Sequence, residues 1–253
     1  MKTAIDNMLP QLKSLRFSGV LDTLDIRNQQ AIEQKLSYVD FLALILNDEY
    51  ERRENKKLRL LLRRANFEGE RTIENFAFDA PNLKINKAQI FDLATCAFIR
   101  ERVNVLIVGP TGVGKSHVAQ AIGHSACRRG FEVQFSSCHK VLAQLRAGRA
   151  DGTFERKLQA LLRPDLLIMD DFGLRTLTPP ADEDFHELVT ERYEHGSIVL
   201  TSNLDFTEWK TAFPNQVLAA ATVDRLRHMA HRVIIEGESY RRPRPIPQNG
   251  KGT

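Results

Sequence analysis

The sequence predicts an α/β fold, a parallel sheet flanked by helices, preceded by a small all-helical N-terminal domain. Three observations predict it. From residue 103 onward, five short runs at 103–108, 133–136, 166–169, 198–200 and 233–235 are apolar for most of their length, as strands covered on both faces of a parallel sheet must be. The segments between them, 115–129, 138–162, 182–195 and 207–231, are long enough to hold the covering helices. Before residue 70, apolar residues recur at steps of three and four, the helical spacing.

In chain order, Leu12, Leu15, Val20, Leu21 and Leu24 predict a first helix over 8–24. A longer helix follows from Ser37, where Asp40 three residues on completes a capping box. Its apolar stripe runs through Phe41, Leu42, Ile45 and Leu46 to Leu58, Leu61 and Leu62. Arg52, Lys56, Arg59 and Arg63 also recur at steps of three and four, with Arg53, Lys57 and Arg64 beside them and Glu54 the lone acid in that stretch. They make one basic ridge, which reads equally as a polyanion-binding surface or a solvated face. Residues 66–86, with Gly69, Asn75, Pro81 and Asn82, read as a linker. The expected organisation is a helical domain over 1–70, a linker and start of the core over 71–100, the sheet domain over 101–240 and a tail over 241–253. In that tail Arg241, Arg242, Arg244 and Lys251 alternate with Pro243, Pro245 and Pro247, a composition that predicts a flexible basic arm.

With 42% hydrophobic and 27% charged residues among 253, the chain is neither collagen-like nor disordered. No apolar run approaches the roughly 18–20 residues that cross a bilayer, and Asp6 and Pro10 interrupt the N-terminal stretch, predicting a cytoplasmic protein without a membrane partner. Cys96, Cys127 and Cys138 form no CxxC pair and read as reduced core residues. The net charge of +4 is local in origin: Lys and Arg outnumber Asp and Glu by 13 to 12 over 1–75 and by 4 to none over 241–253.

Directly after the first predicted strand stands Gly109-Pro110-Thr111-Gly112-Val113-Gly114-Lys115-Ser116, which satisfies G-x-x-x-x-G-K-[ST] at each fixed position. A strand enters this loop and a helix through His117, Ala119, Ala121 and Ile122 leaves it, so backbone N–H groups converge on an anion at a helix N-terminus. Lys115 offers a charge to the β/γ-phosphates and Ser116 a hydroxyl to Mg²⁺. The strand over 166–169 ends in Asp170-Asp171. Asp170 is the candidate Mg²⁺ acid and Asp171 the residue that orients the attacking water, although strand-end acids also serve as plain turn residues. One strand separates the two motifs in sequence, as in P-loop ATPases of the additional-strand class. The strand over 198–200 leads to Asn203, an amide suited to sensing a γ-phosphate or simply to a turn. Arg225, Arg227 and Arg241 are the later arginines that can stabilise a transferring phosphoryl group or stand in surface ion pairs.

These blocks together, the glycine loop, LLIMDDFG at 166–173, RYEHGSIVLTSN at 192–203, Trp209 and the 224–241 region, resemble the AAA+ ATPases of the IstB family. Those are the helper ATP-binding proteins of bacterial insertion sequences, related to the DnaC and DnaI helicase loaders. The likeness covers about residues 5–242 and includes RTIENF at 71–76. It implies a P-loop AAA+ fold, ATP and Mg²⁺ as cofactors, and a homo-oligomer, ring or helical, on duplex DNA. It also implies selection of target DNA and stimulation of a partner transposase. By the same resemblance Lys115, Ser116, Asp170, Asp171 and Asn203 form the catalytic centre, Arg225 reaches a neighbouring subunit's ATP, and Arg241 lies near its own. Asp171 stands where many AAA+ proteins carry Glu, one methylene longer, which implies slow turnover suited to a switch. DNA is expected on the ridge of Arg52, Lys56, Arg59 and Arg63, or on a second basic set of Lys140, Arg146, Arg149, Arg156 and Lys157. A DnaC-like helicase loader and a nucleotide-gated module without hydrolysis remain alternative readings.

Overall fold

Five strands form where the sequence carries its apolar runs: β1 (Val105–Val108), β2 (Val133–Ser137), β3 (Leu166–Phe172), β4 (Ser197–Ser202) and β5 (His231–Ile234). In the computed structural model, which describes the backbone of residues 4–240 and side chains from Asn7 onward, they build one parallel sheet in the order β2-β3-β4-β1-β5. The strand β4 therefore lies between β1 and β3. The helices are α1 (Ala4–Ser14), α2 (Ser18–Gln34), α3 (Tyr38–Ala65), α4 (Lys87–Leu93), α5 (Ala97–Arg100), α6 (Lys115–Arg128), α7 (Cys138–Asp151), α8 (Phe154–Leu162), α9 (Ala181–Arg192) and α10 (Gln216–Arg227). None among the described residues is long and apolar enough to cross a membrane.

Several predicted elements divide, each for a local reason. The helix expected over 8–24 is two, because Arg16 adopts φ +59° while Phe17 N donates to Leu12 O and Arg16 N to Lys13 O, the left-handed closure of a helix C-terminus. That over 138–162 breaks at Gly152, φ +72°, where Asp151 Oδ1 accepts from Thr153 N at 3.1 Å. That over 207–231 becomes a 3₁₀ turn at Trp209–Ala212 and then α10, restarted by Asn215, whose Oδ1 accepts from Val217 N and Leu218 N. The short helices α4 and α5 stand in a stretch read partly as linker.

The chain divides into two compact units, residues 1–60 and 61–253. In the first, α2 approaches α3 at Gly19: a Cβ there would lie 2.7 Å from both Asp48 O and Glu49 Cα. Gly19 N donates to Glu49 Oε2 at 2.6 Å, and the Arg27 guanidinium forks onto both Asp48 oxygens at 2.8 and 2.7 Å. The face of α3 that is buried here carries Asp48 and Glu49, whereas Leu42 and Leu46 of the expected apolar stripe are each 51% exposed. Close helix contact at a glycine and bonds to the carboxylates set that orientation, and apolar periodicity alone does not. The expected capping box is half formed: Asp40 N donates to Ser37 Oγ, but the Asp40 carboxylate takes the Ser37 hydroxyl rather than its backbone N–H.

The second unit has a conventional apolar core in which Phe172 stacks on Phe185 at 5.1 Å and meets the edge of Trp209 at 5.2 Å. Arg192, 1% exposed, donates to the carbonyls of Leu161, Leu162, Pro164, Asp165 and Ser197, tying α8, the entries to β3 and β4, and the end of α9 together. All three cysteines are free and buried, and burial pushes the Cys127 and Cys138 thiols up to about 12, as reduced core residues require.

Candidate nucleotide site

β1 ends at Val108 and α6 begins at Lys115, so the glycine loop fills a strand-to-helix turn at the C-terminal edge of the sheet. Gly112 and Gly114 have φ +85° and +100°, a region L-residues with a Cβ rarely adopt. A Cβ at Gly112 would fall 2.1 Å from Ser239 Oγ and one at Gly114 2.7 Å from the Phe76 ring. Val113 is buried and anchors the loop, while Pro110 and Thr111 face solvent. The first turn of α6 carries no acid, which leaves its positive end for an anion. Lys115, 5% exposed, lies back across the loop and donates to Gly109 O at 2.8 Å and Pro110 O at 2.7 Å. It also donates to Asn203 Oδ1 at 2.5 Å. Phosphate oxygens can replace such neutral acceptors, so the loop, its lysine and the helix end fit a triphosphate.

Register pairs Met169 with Leu200 and Phe172 with Ser202, with a bulge between, so Asp170 and Asp171 together oppose Thr201. Asp170 is buried and Asp171 exposed, the latter at φ +61°. Thr201 Oγ1 donates to Asp170 Oδ1 and accepts from Asp171 N at 3.0 Å. The structure thus brings Lys115, Asn203, Asp170 and Asp171 to one edge of three adjacent strands, with Ser116 and His117 half-buried in the first turn of α6.

Residues 72–78 lie against this loop. His117 Nε2 contacts Thr72 O at 2.9 Å, the Phe76 ring meets His117 edge-on at 5.2 Å, and Phe76, Phe78 and Phe91 continue as a ladder. With Ile73, Glu74 and Lys87 they line a cavity of about 520 Å³. Glu74 stays ionised there, held at about 2 by its own backbone N–H, the Thr72 hydroxyl and Arg128. Tyr240 N donates to Gly112 O at 3.0 Å, closing the other side.

Arg225 is not part of this cluster. It sits near the end of α10, half-buried, donating to Ala221 O. Its neighbour Leu226 accepts at its carbonyl from Asn104 Nδ2, just ahead of β1, whereas Lys115 follows the far end of that strand. Arg225 and the glycine loop thus occupy opposite edges of the sheet. Arg241 lies outside the described residues.

Of the cations considered for DNA, Lys56, Lys57, Arg59 and Arg63 are exposed and form no ion pair among the described residues. Arg52 pairs with Asp22, Arg53 with Glu49 and Arg64 with Glu132. In the second set, Arg149 is held by Asp184 at 2.6 Å and Glu187 at 3.6 Å and lies 4.2 Å over the Phe154 ring, so it braces α7 against α8 and α9. Lys157 pairs with Asp151. Lys140, Arg146 and Arg156 are exposed. Sequence reasoning assigned no role to Thr201, Arg192 or the Phe76–Phe78 pair. The signal for Arg192 was a cation on the apolar stripe of Phe185, Leu188 and Val189; none marked Thr201.

A parallel sheet with a strand inserted between the phosphate loop and the acid pair is the fold of a P-loop ATPase of the AAA+ class. Solved structures agree: DnaI superposes with a TM-score of 0.56 at 20% identity, covering 70% of this chain and 93% of that one. AMPPCP-bound DnaA from Aquifex aeolicus gives 0.54 at 21%, covering 68% and 51%. The chain belongs to the family of IstB-like ATP-binding proteins, which it matches over residues 10–245. It is 40% identical over 237 residues to an insertion-sequence protein of Mycobacterium tuberculosis named for ATP binding, covering 93% of this chain and 94% of the other. The corresponding protein of insertion sequence IS21 from Pseudomonas aeruginosa is 34% identical, with 94% and 88% covered.

Proposed function

We propose that the protein is a cytoplasmic ATPase that assembles on duplex DNA when ATP is bound, selects target DNA and stimulates the transposase of its insertion sequence. The observation that carries this reading is the meeting of Lys115 Nζ with Asn203 Oδ1, on a strand whose Thr201 also holds the acid pair. Phosphate grip and hydrolytic groups are thereby linked within one strand end. Gly109, Pro110, Thr111, Gly112, Val113, Gly114 and His117 shape the loop around the phosphates, and Lys115 balances their charge. Ser116 and Asp170 would hold Mg²⁺, which supplies charge neutralisation on the phosphates when bound. Asp171, turned outward by its left-handed backbone, orients the attacking water, and Asn203 reports the γ-phosphate to β4. Arg225, at the opposite sheet edge, acts on the ATP of an adjoining copy, so turnover requires the homo-oligomer; Arg241 serves its own nucleotide. The phenylalanine-lined cavity beside the loop suits a nucleobase.

ATP turnover with and without duplex DNA tests the reading. Wild type is expected to turn over slowly and faster with DNA. Lys115→Ala is expected to lose nucleotide binding, Asp171→Asn and Arg225→Ala to bind ATP but lose turnover, the former by about 100-fold. ATP-dependent assembly on DNA with no turnover under any condition would replace the ATPase with a nucleotide-gated module. Preference for single-stranded DNA would replace target selection with helicase loading.

A further inference from the structure

We infer that Thr201 is the positioning residue that sets the acid pair for its work, one hydroxyl holding the Asp170 carboxylate and the Asp171 backbone. Thr201 is fully buried in β4. Its single proton goes to Asp170 Oδ1, and a lone pair of the same oxygen takes the backbone N–H of Asp171 at 3.0 Å. The second bond falls at the bulge where two residues of β3 oppose one of β4 and where Asp171 takes φ +61°. At a bulge the regular ladder is interrupted, and the Thr201 hydroxyl is the side-chain acceptor that holds this N–H at the turn. The hydroxyl thus fixes the rotamer of Asp170, leaving its other oxygen for a cation, and fixes the backbone turn that sends Asp171 outward. Two residues on, the same strand presents Asn203 to Lys115. Ser202 Oγ, between them, donates to Phe172 O at 2.8 Å, which pins β4 to β3 just past the bulge. A shift of β4 in response to phosphate at Asn203 therefore moves Thr201 and, through it, both acids.

This inference rests on the ATPase reading above, and its test separates the two. Thr201→Val keeps the shape and removes donor and acceptor; Thr201→Ser keeps both. Affinity for a fluorescent ATP analogue is measured in EDTA and in Mg²⁺, alongside turnover as a function of Mg²⁺. Thr201→Val is expected to bind the analogue like wild type in EDTA. It is expected to lose most of the gain in affinity that Mg²⁺ gives wild type, to need at least 5-fold more Mg²⁺ for half-maximal turnover, and to lower kcat about 10-fold or more even with Mg²⁺ and ATP saturating. Thr201→Ser is expected to restore all three to within about 3-fold. If Thr201→Val does not fold, Thr201→Cys, serine-sized with a weak donor, replaces it and is compared with Thr201→Ser. A valine or cysteine variant with wild-type Mg²⁺ dependence and kcat overturns the inference. Wild type that binds Mg²⁺-nucleotide without turnover refutes the ATPase while the Mg²⁺ dependence of binding still decides on Thr201. Wild type that binds no nucleotide refutes both.

Discussion

The two units of this chain are held together by different physics. In residues 61–253 large apolar side chains dominate: Phe172, Phe185, Trp209 and Phe213 are fully buried, and the buried Arg192 is surrounded by carbonyls. In residues 1–60 the face of α3 against α2 carries Asp48 and Glu49, while Tyr38, Val39, Leu42, Leu46 and Tyr50 stand exposed. Arg27 holds the Asp48 carboxyl below its usual range. Burial works to raise Glu49, but its bonds from Arg53 and the Gly19 N–H prevail and hold it low. Hydrophobic burial is non-directional, so a sequence that satisfies it announces itself by period. Hydrogen-bonded helix contact depends on single atoms, and a pattern of residue types does not encode those.

The sharpest contrast lies in what one substitution removes from each unit. Arg192→Met would take the guanidinium, itself 1% exposed, from five carbonyls, of which Asp165 O also accepts from the Ser197 N–H. The expected loss is about 3–4 kcal/mol. Trp209, the sole tryptophan and fully buried in the second unit, reports it: its fluorescence transition in urea should move to markedly lower concentration. A midpoint near wild type would mean that the carbonyls find other partners and that Arg192 is no bolt.

Gly19→Ala makes the corresponding test of the first unit. The new Cβ would lie 2.7 Å from backbone atoms of Asp48 and Glu49, which cannot rotate away as a side chain could. The helices must separate, weakening the Gly19 N–H bond to Glu49, at a cost of about 1–3 kcal/mol. Far-UV circular dichroism should show early loss of helix while the Trp209 transition stays where it was. A variant as stable as wild type by both probes would show that the glycine contact does not set the orientation of α3.

The sheet and the site were legible because phosphate chemistry and parallel pairing both constrain sequence. The five strands, the loop from Gly109 to Ser116, Asp170, Asp171 and Asn203 could be read from spacing and apolar runs, and the structure brings the side chains of Lys115, Asn203 and Asp170 and the backbone of Asp171 to one strand end. The bulge at β3 was hidden, since a left-handed Asp171 looks like any strand-end acid. So was Thr201, a β-branched residue in a strand where β-branched residues are ordinary. The breaks at Arg16 and Gly152 were missed because backbone closure at a helix end interrupts a pattern that side chains continue. On α3 the apolar stripe was legible in part: Leu61 is buried and Phe41, Ile45, Leu58 and Leu62 are half-buried, while Leu42 and Leu46 stand exposed.

The basic ridge of α3 is where the two kinds of surface can be told apart at least cost to the fold. Arg52, Lys56, Arg59 and Arg63 are exposed, so changing all four to Gln should alter stability by no more than about 0.5 kcal/mol at each site. Exposed cations that contact phosphates act through counterion release, and each one removed lowers the slope of log affinity against log salt by about one. The quadruple variant is therefore expected to bind duplex DNA more weakly and with a slope flatter by about three to four, without change in the Trp209 transition. Lys140→Gln with Arg146→Gln is the control from the second basic set. That set has Arg149 already committed to Asp184 and Glu187, so fewer of its cations can reach phosphate and the slope should change less. If the control flattens the slope and the ridge variant does not, DNA lies against α7, beside the loop that follows Asp171, and the ridge is a solvated face.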